Sequence, residues 1–215
     1  MGLQIRVHTL RLVFNARSLS LNEVSLNDIL LKNDVVEDIF ELILKFTQHK
    51  FAFTFDVQKM FQQILVASHQ RDYLRILLFE GNTCRPITFK LNTITYGTAF
   101  AHFYAIRTVK QLVIVESSDF PLASEIALRD IYIKDGISGT NGIKTDKILQ
   151  RQLIDMFAKG SMNMHKWTSN SLELLNSFPS SSQEHTLPID FHVSKTFGMN
   201  WLHLDDISLD DFSYI

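Results

Sequence analysis

The sequence predicts an α+β fold, with helices backing a mostly antiparallel sheet. Three observations carry this reading. Residues 51–57 run with a period of two, so Phe51, Phe53 and Phe55 share one face while Thr54 and Asp56 share the other. Two strand–turn–strand patterns follow, one at residues 73–91 around Gly81-Asn82 and one at residues 131–139 around Lys134-Asp135-Gly136. Helical segments fall between these strands without alternating with them one for one. The order is strand, helix, strand, hairpin, helix, helix, hairpin, helix, strands, with no internal repeat.

Residues 5–16 read as extended, through Ile5, Val7, Leu10, Leu12, Val13 and Phe14. Arg6, Arg11 and Arg17 fall here with no acid before Glu23, which suits either a solvated edge strand or a phosphate-facing one. Ser25-Leu26-Asn27-Asp28 is a turn or cap. Asp34 and Glu37 form a capping box for a helix whose apolar stripe is Val35, Ile39, Leu42, Ile43 and Phe46. Lys45, His49 and Lys50 suit the negative end of that helix. The strand at 51–57 then leaves Asp56 pointing away from the phenylalanine face, toward solvent or a cleft. An acid has poor strand propensity, so its presence wants a reason.

Residues 59–65 read as a short helix or turn, and residues 73–79 and 85–91 as strands. Thr95-Tyr96-Gly97-Thr98 opens a helix running to about Val113. Pro121 starts another that runs through Ile126 to Arg129. Residues 131–133 and 137–139 make the second hairpin, with Asp135 at its tip. Thr145 caps a helix with apolar residues Ile148, Leu149, Leu153, Ile154 and Phe157, ending at Gly160. Residues 162–167 read as a strand and 169–178 as a short helix stopped by Pro179. Ser180-Ser181-Ser182-Gln183 is the best linker candidate. Strands are expected at 196–202 and 212–215, separated by an acidic turn with Asp205, Asp206, Asp210 and Asp211.

Composition bounds the function classes. The 215 residues, 46% hydrophobic and 20% charged, suffice for one sizeable core or two packed subdomains and argue against disorder. A net charge of −2 gives no global basic field, so any nucleic-acid surface must be local. The single cysteine, Cys84, excludes an internal disulfide and predicts a reducing, intracellular setting, cytoplasmic or nuclear. No Cys/His pair has zinc-ligand spacing. The start has neither the apolar core of a signal peptide nor the Ser or Thr of a myristoylation signal, where Arg6 stands. No apolar run approaches the roughly 18 residues of a membrane span, so no membrane partner is expected.

Seven segments, in order and spread over almost the whole chain, carry a resemblance. Arg11-Leu12-Val13-Phe14-Asn15-Ala16 resembles R-x-V-F-D-A-S, and Ser25-Leu26-Asn27-Asp28 matches S-L-N-D. The stretch from Phe53 to Ile64, FTFDVQKMFQQI, is similar to F-T-A-D-I-E-K-M-Y-x-Q-I. Residues 71–77 follow R-D-x-x-R-x-L, and residues 91–99 follow L-x-x-V-x-Y-G-x-x. Lys166-Trp167-Thr168-Ser169-Asn170 follows K-W-x-S-N, and residues 195–201 follow K-T-L-G-x-x-W. Together they resemble the reverse transcriptase of Bel-Pao class LTR retrotransposons.

The resemblance implies a right-hand polymerase fold, fingers and palm, with the thumb absent and the strand before Arg11 cut short. Residues of about 1–50 and 65–110 would be fingers-like with the start of the palm. Residues 51–64 and 111–179 would form the palm, and 188–215 primer-grip-like strands. It implies an RNA/DNA primer–template and a deoxynucleoside triphosphate as partners. It also implies two Mg²⁺ ions, one activating the primer 3′-hydroxyl and one neutralising the triphosphate. Asp56 matches the first metal-binding acid, and the Val57 carbonyl would assist it. The other two acids should come from a Y-x-D-D hairpin, which here reads Tyr132-Ile133-Lys134-Asp135. Asp135 matches the second acid of that pair, and Lys134 replaces the first.

That replacement turns a ligand into a cation beside two divalent ions. Each unit-charge interaction at about 4 Å is worth roughly 4 kcal/mol at a surface-like dielectric, so polymerisation is expected to be abolished or nearly so. The Lys134 ammonium would instead lie between Asp56 and Asp135 and offset their repulsion. By the same resemblance Arg11 would contact the triphosphate. Phe61, five residues after Asp56, would be the gate against a ribose 2′-hydroxyl. Gly97 would allow close approach of template or nucleotide, and Lys166 and the Gly198 region would match the later palm motif and the primer grip. Asn15 in place of Asp, and Gly136 after the acid, are further departures. Without the resemblance, Asp135 reads equally as a turn acid and Phe61 and Trp201 equally as core aromatics, while a surface or capping acid is the lesser reading of Asp56. A nucleic-acid-binding protein that reuses the palm without catalysis is the alternative function.

Overall fold

In a computed structural model of the chain, the residues described are 14–30, 39–78, 85–178, 193–196, 199–202 and 207–209. The chain divides into two compact units, one of Met1–Asn33 with Leu65–Ala101, the other of Asp34–Ile64 with His102–Ile215. No helix among the described residues is long and apolar enough to cross a membrane.

In the first unit the turn expected at Ser25–Asp28 is a four-residue helix, α1 (Leu26–Ile29). The Asp28 carboxylate accepts from the Ser25 N–H at 2.9 Å and from its Oγ at 2.6 Å. A 3₁₀ helix (Ser68–Tyr73) precedes the antiparallel pair β2 (Arg75–Leu78) and β3 (Ile87–Lys90). The strand expected from Tyr73 thus starts two residues late, because the Leu74 N–H donates to the Arg71 carbonyl at 3.0 Å and keeps the turn wound. The register runs from Arg75↔Lys90 to Leu78↔Ile87. Gly81-Asn82 and residues 5–13 lie outside the described residues.

The second unit is built on a four-stranded antiparallel sheet in the order β4-β5-β1-β6. Its strands are β1 (Phe51–Val57), β4 (Ile131–Tyr132), β5 (Asp135–Thr140) and β6 (Met164–Ser169). Phe53, Phe55 and Val57 of β1 enter one core cluster with Trp167, Met156, Phe157 and Phe178. The Trp167 ring lies 5.0 Å from Phe55 and 4.8 Å from Phe178, centroid to centroid. Thr54, expected on an open face, is buried as well. A central strand is covered on both sides, so within β1 only Phe51 and Asp56 are partly exposed.

Around the sheet lie α2 (Ile39–Phe46), the short α3 (Met60–Gln63), α4 (Ala101–Glu116), α5 (Pro121–Arg129), α6 (Ile143–Lys159) and α7 (Leu172–Leu175). The start expected for α2 at Asp34 lies outside the described residues. Pro121 opens α5 as its residue type favours, and the Gln152 side chain accepts from the Leu122 N–H at 3.0 Å. Helix α4 begins at Ala101, later than the Thr95 expectation, because Gly97 takes φ +88 and breaks the helical path. Helix α6 starts before Thr145, which lies inside the first turn. Gly142 is its N-cap, held by a 3.0 Å bond from its N–H to the Thr140 hydroxyl.

The single strand expected at 196–202 is two strands, β7 (Val193–Thr196) and β8 (Met199–Leu202), paired from Val193↔Leu202 to Thr196↔Met199. A third strand, β9 (Ile207–Leu209), pairs with β8. The linker 180–183, Gly198 and the acidic residues 205, 206, 210 and 211 lie outside the described residues, as does the strand expected at 212–215.

Candidate functional site

The register of β1 against β5 places Asp56 directly opposite Asp135. This pair exists because the hairpin turn is tighter than the sequence suggests. Tyr132 pairs with Asp135, which leaves only Ile133 and Lys134 as the loop. Asp135 is therefore the first residue of β5 and not the tip of the turn, while Lys134 takes the tip. Ile133 adopts φ 59 to make this turn. A β-branched residue there is strained, and such strain persists only where the surroundings impose it. Two contacts impose it here. Ile133 packs partly against the core, and the Lys134 carbonyl accepts from the Val57 N–H at 2.8 Å.

Like charges directly opposite in an antiparallel pair repel. The Lys134 ammonium resolves this by donating to Asp56 Oδ2 and, at 2.9 Å, to Asp135 Oδ1. The bridge expected from the sequence is therefore present. The Asp56 side chain is 13% exposed and that of Lys134 39%.

The electrostatics follow from one cation shared by two acids. Burial works against the Lys134 charge, yet hydrogen bonds and attraction from both carboxylates overcome it and raise its pKa. The same pairing does not lower Asp135. Burial raises its pKa, Asp56 repels its charge, and Lys134 offsets only part of this. The two directions are consistent, since the ammonium sees two anions while Asp135 sees one cation and one anion.

A fourth residue, His165, completes the cluster and was not singled out from the sequence. Its Nε2 lies 3.1 Å from Asp56 Oδ1. The β1–β6 register shifts between Thr54↔Thr168 and Asp56↔His165, so two steps on β1 face three on β6. That is a β-bulge, and Lys166 within it takes φ 54. A bulge bends its strand and re-aims side chains. Trp167 is buried and Lys166 exposed, while the imidazole of His165 meets Asp56. His165-Lys166-Trp167 lies inside the strand expected at 162–167, and nothing in its spacing marks a bulge.

These residues do not fit two Mg²⁺ ions. Mg²⁺ demands carboxylate oxygens in tight octahedral geometry. Asp56 Oδ2 and Asp135 Oδ1 are both taken by the ammonium, and Asp56 Oδ1 by the imidazole. A positive side chain occupies the space between the acids. Among the described residues no group of three or more His, Cys, Asp or Glu side chains is arranged to hold a metal ion.

The other sequence-derived positions fall as follows. Arg11 lies outside the described residues. Phe61 sits on α3, partly packed against the core, with its ring 6.0 Å from that of His102. Val57 is fully buried beside Asp56. Lys166 shares a strand with His165 but is exposed. Gly97 belongs to the other unit, and there a Cβ would overlap the Phe14 carbonyl oxygen. The need for glycine is thus met by the chain's own backbone. The buried Asn27 side chain fixes this bend, donating to the Gly97 carbonyl at 2.9 Å and accepting from the Ala99 N–H at 2.7 Å.

Searches against protein-family models and against curated proteins found no match for this chain.

Proposed function

We propose that the chain is a fingers-and-palm part of a reverse-transcriptase-like polymerase of the Bel-Pao class, with its nucleotidyl-transfer site closed by Lys134. One observation carries this reading. A central-strand acid, Asp56, faces a hairpin acid, Asp135, across an antiparallel pair, and the residue where the hairpin's other acid would stand is the lysine that bridges them. The motif order along the sequence supports the same assignment. Asp56 and Asp135 are the remnants of the acid set, Phe61 the gate, and Arg11 and Lys166 the contacts to nucleotide and template. The partners are an RNA or DNA primer–template and a deoxynucleoside triphosphate.

The chemistry of the closed site favours binding over synthesis. Lys134 cancels one of two negative charges, and the exposed Lys59 and Lys166 lie close in sequence to Asp56 and His165. The site is therefore less repulsive to phosphates than a bare acid pair. The alternative, a nucleic-acid-binding protein that does not polymerise, rests on this balance.

Primer extension with Mg²⁺ or Mn²⁺ tests the first statement, and no extension is expected from the unmodified chain. Robust synthesis would overturn the closed-site reading. Affinity for a primer–template should fall steeply with salt, and salt-independent or absent binding would remove the nucleic-acid assignment itself.

A further inference from the structure

We infer that the open edge of β5 at Gly139 is a docking site for an extended peptide segment, which pairs its main chain with Gly139 and carries an aliphatic residue next to a basic one. The site lies at the opposite end of β5 from Asp135, and the inference does not rest on the polymerase reading.

The first support is an unpaired stretch of backbone. Strand β4 covers β5 only at Asp135 and Gly136. One more bond, from the Ile137 N–H to the Asp130 carbonyl at 3.1 Å, ends the pairing on that edge. Asp130 already belongs to the end of α5, where its own N–H donates to the Ile126 carbonyl at 2.8 Å. In an antiparallel ladder, alternate residues turn their N–H and C=O to opposite edges. Ile137 turns outward, so Gly139 does the same. Gly139 is buried, yet neither its N–H nor its C=O has a partner among the described residues. Buried backbone groups left unpaired are rare, and an open strand edge is a template for another chain.

The second support is the space beside that edge. A cleft of about 290 Å³ opens there, lined by Gly139, by Leu122, Ile126 and Arg129 of α5, and by Leu149 of α6. It falls just short of the roughly 300–1,000 Å³ of small-molecule pockets, a size that suits a short piece of chain. Leu122, Ile126 and Leu149 offer an aliphatic wall to one side chain. In strand addition the main-chain bonds supply affinity, and such a pocket supplies selection.

The third support is charge. Arg129 donates to Asp130 Oδ1 at 2.7 Å and Oδ2 at 2.9 Å, and to Glu125 Oε1 at 3.2 Å. The Ser138 hydroxyl also donates to Asp130, at 2.6 Å, which ties this group to β5 itself. One cation thus faces two acids. His49, which also lines the cleft, does not supply the missing charge, because burial lowers its pKa. Glu125, with its side chain 67% exposed, is the acid that a basic residue of the peptide can reach.

The test uses the full chain and a capped hexapeptide of alternating valine and lysine, read by amide resonances and hydrogen exchange. Without peptide, the Gly139 amide should exchange faster than that of Ser138, which pairs with Phe53. Saturable binding should shift the Gly139 amide resonance and slow its exchange. A peptide N-methylated at its central amides should lose both effects. A valine–glutamate peptide should bind at least about fivefold more weakly, and Glu125→Lys should weaken the valine–lysine peptide by a similar factor. A Gly139 amide as protected as that of Ser138 before peptide is added would overturn the inference. So would a Gly139 resonance that the peptide leaves unmoved, or equal binding of the methylated or acidic peptide. The peptide arms use the unmodified chain, so the test stands even if Glu125→Lys does not fold.

Discussion

Asp56 and Asp135 face each other across two antiparallel strands, and the cation that joins them comes from the residue just before Asp135. Sequence adjacency would send the side chains of residues 134 and 135 to opposite sides of an extended strand. They converge here only because Lys134 belongs to the turn and Asp135 to the strand.

Lys134→Met should destabilise the second unit by about 2 kcal/mol, because two facing carboxylates lose their shared partner. The loss should shrink when Asp135→Asn is added, since one of the repelling charges is then gone. Urea unfolding of the four members of this cycle measures the coupling. The Lys134 pKa is raised, so its contribution is fully present at neutral pH. That contribution should be lost as pH rises beyond the ordinary lysine range.

Asp146 lies on α6 with both carboxylate oxygens buried and no hydrogen bond of normal geometry to either among the described residues. Burial pushes its pKa up to about 6, and the Thr140 hydroxyl offsets only part of this. The folded state therefore holds its proton more tightly than the unfolded chain does, and stability should fall as pH rises from about 4 to about 6. Asp146→Asn should be neutral near pH 4 and stabilising by about 2 kcal/mol above pH 7. Unfolding midpoints across this range give the answer, and an equal gain at both ends would refute the assignment. Asp135 is shifted the same way, so the variant flattens only part of the profile.

Gly136 pairs with Phe55, and a Cβ at that position would enter the Phe55 ring. Gly136→Ala should therefore cost about 1–3 kcal/mol by overpacking. A compensating Phe55→Leu should recover part of that loss, a signature that a purely conformational effect at the glycine would not give.

Asn27→Ala should remove both bonds that hold the Gly97 bend, at a cost of about 2 kcal/mol. Faster hydrogen exchange at Ala99, with little change in β1, would show that the effect stays in the first unit.

Much of the fold was legible where one local rule governed an element. The alternating phenylalanines gave β1, and Pro121 gave the start of α5. The hairpin near residue 135 was legible as a hairpin, but not the length of its turn. No residue-level preference points to an isoleucine at positive φ, and packing together with the Val57 bond decides it. Boundaries slipped where backbone bonding overrode propensity, as at the 3₁₀ turn before β2 and at Gly97 before α4. In the site, Asp56, Lys134 and Asp135 were all marked by motif and charge. His165 was hidden because a bulge two strands away from the hairpin brings it in, and a bulge leaves no spacing signal when its left-handed residue is Lys166 and not glycine. Asn27 and Gly97 were each noticed, but nothing in the sequence linked them.

The topology of the four-stranded sheet also sets an order of assembly. Its central strand, β1, is made early, yet its two neighbours lie far downstream, with Asp56 78 residues from Lys134 and 109 from His165. Contacts this distant require closure of long loops, so the sheet should fold slowly relative to the helices around it. During synthesis an aromatic strand with both edges bare must wait for its partners to emerge. Such a strand is a ready template for wrong pairing. Expression yield should therefore depend on chaperone supply more than the stability of the finished fold would suggest.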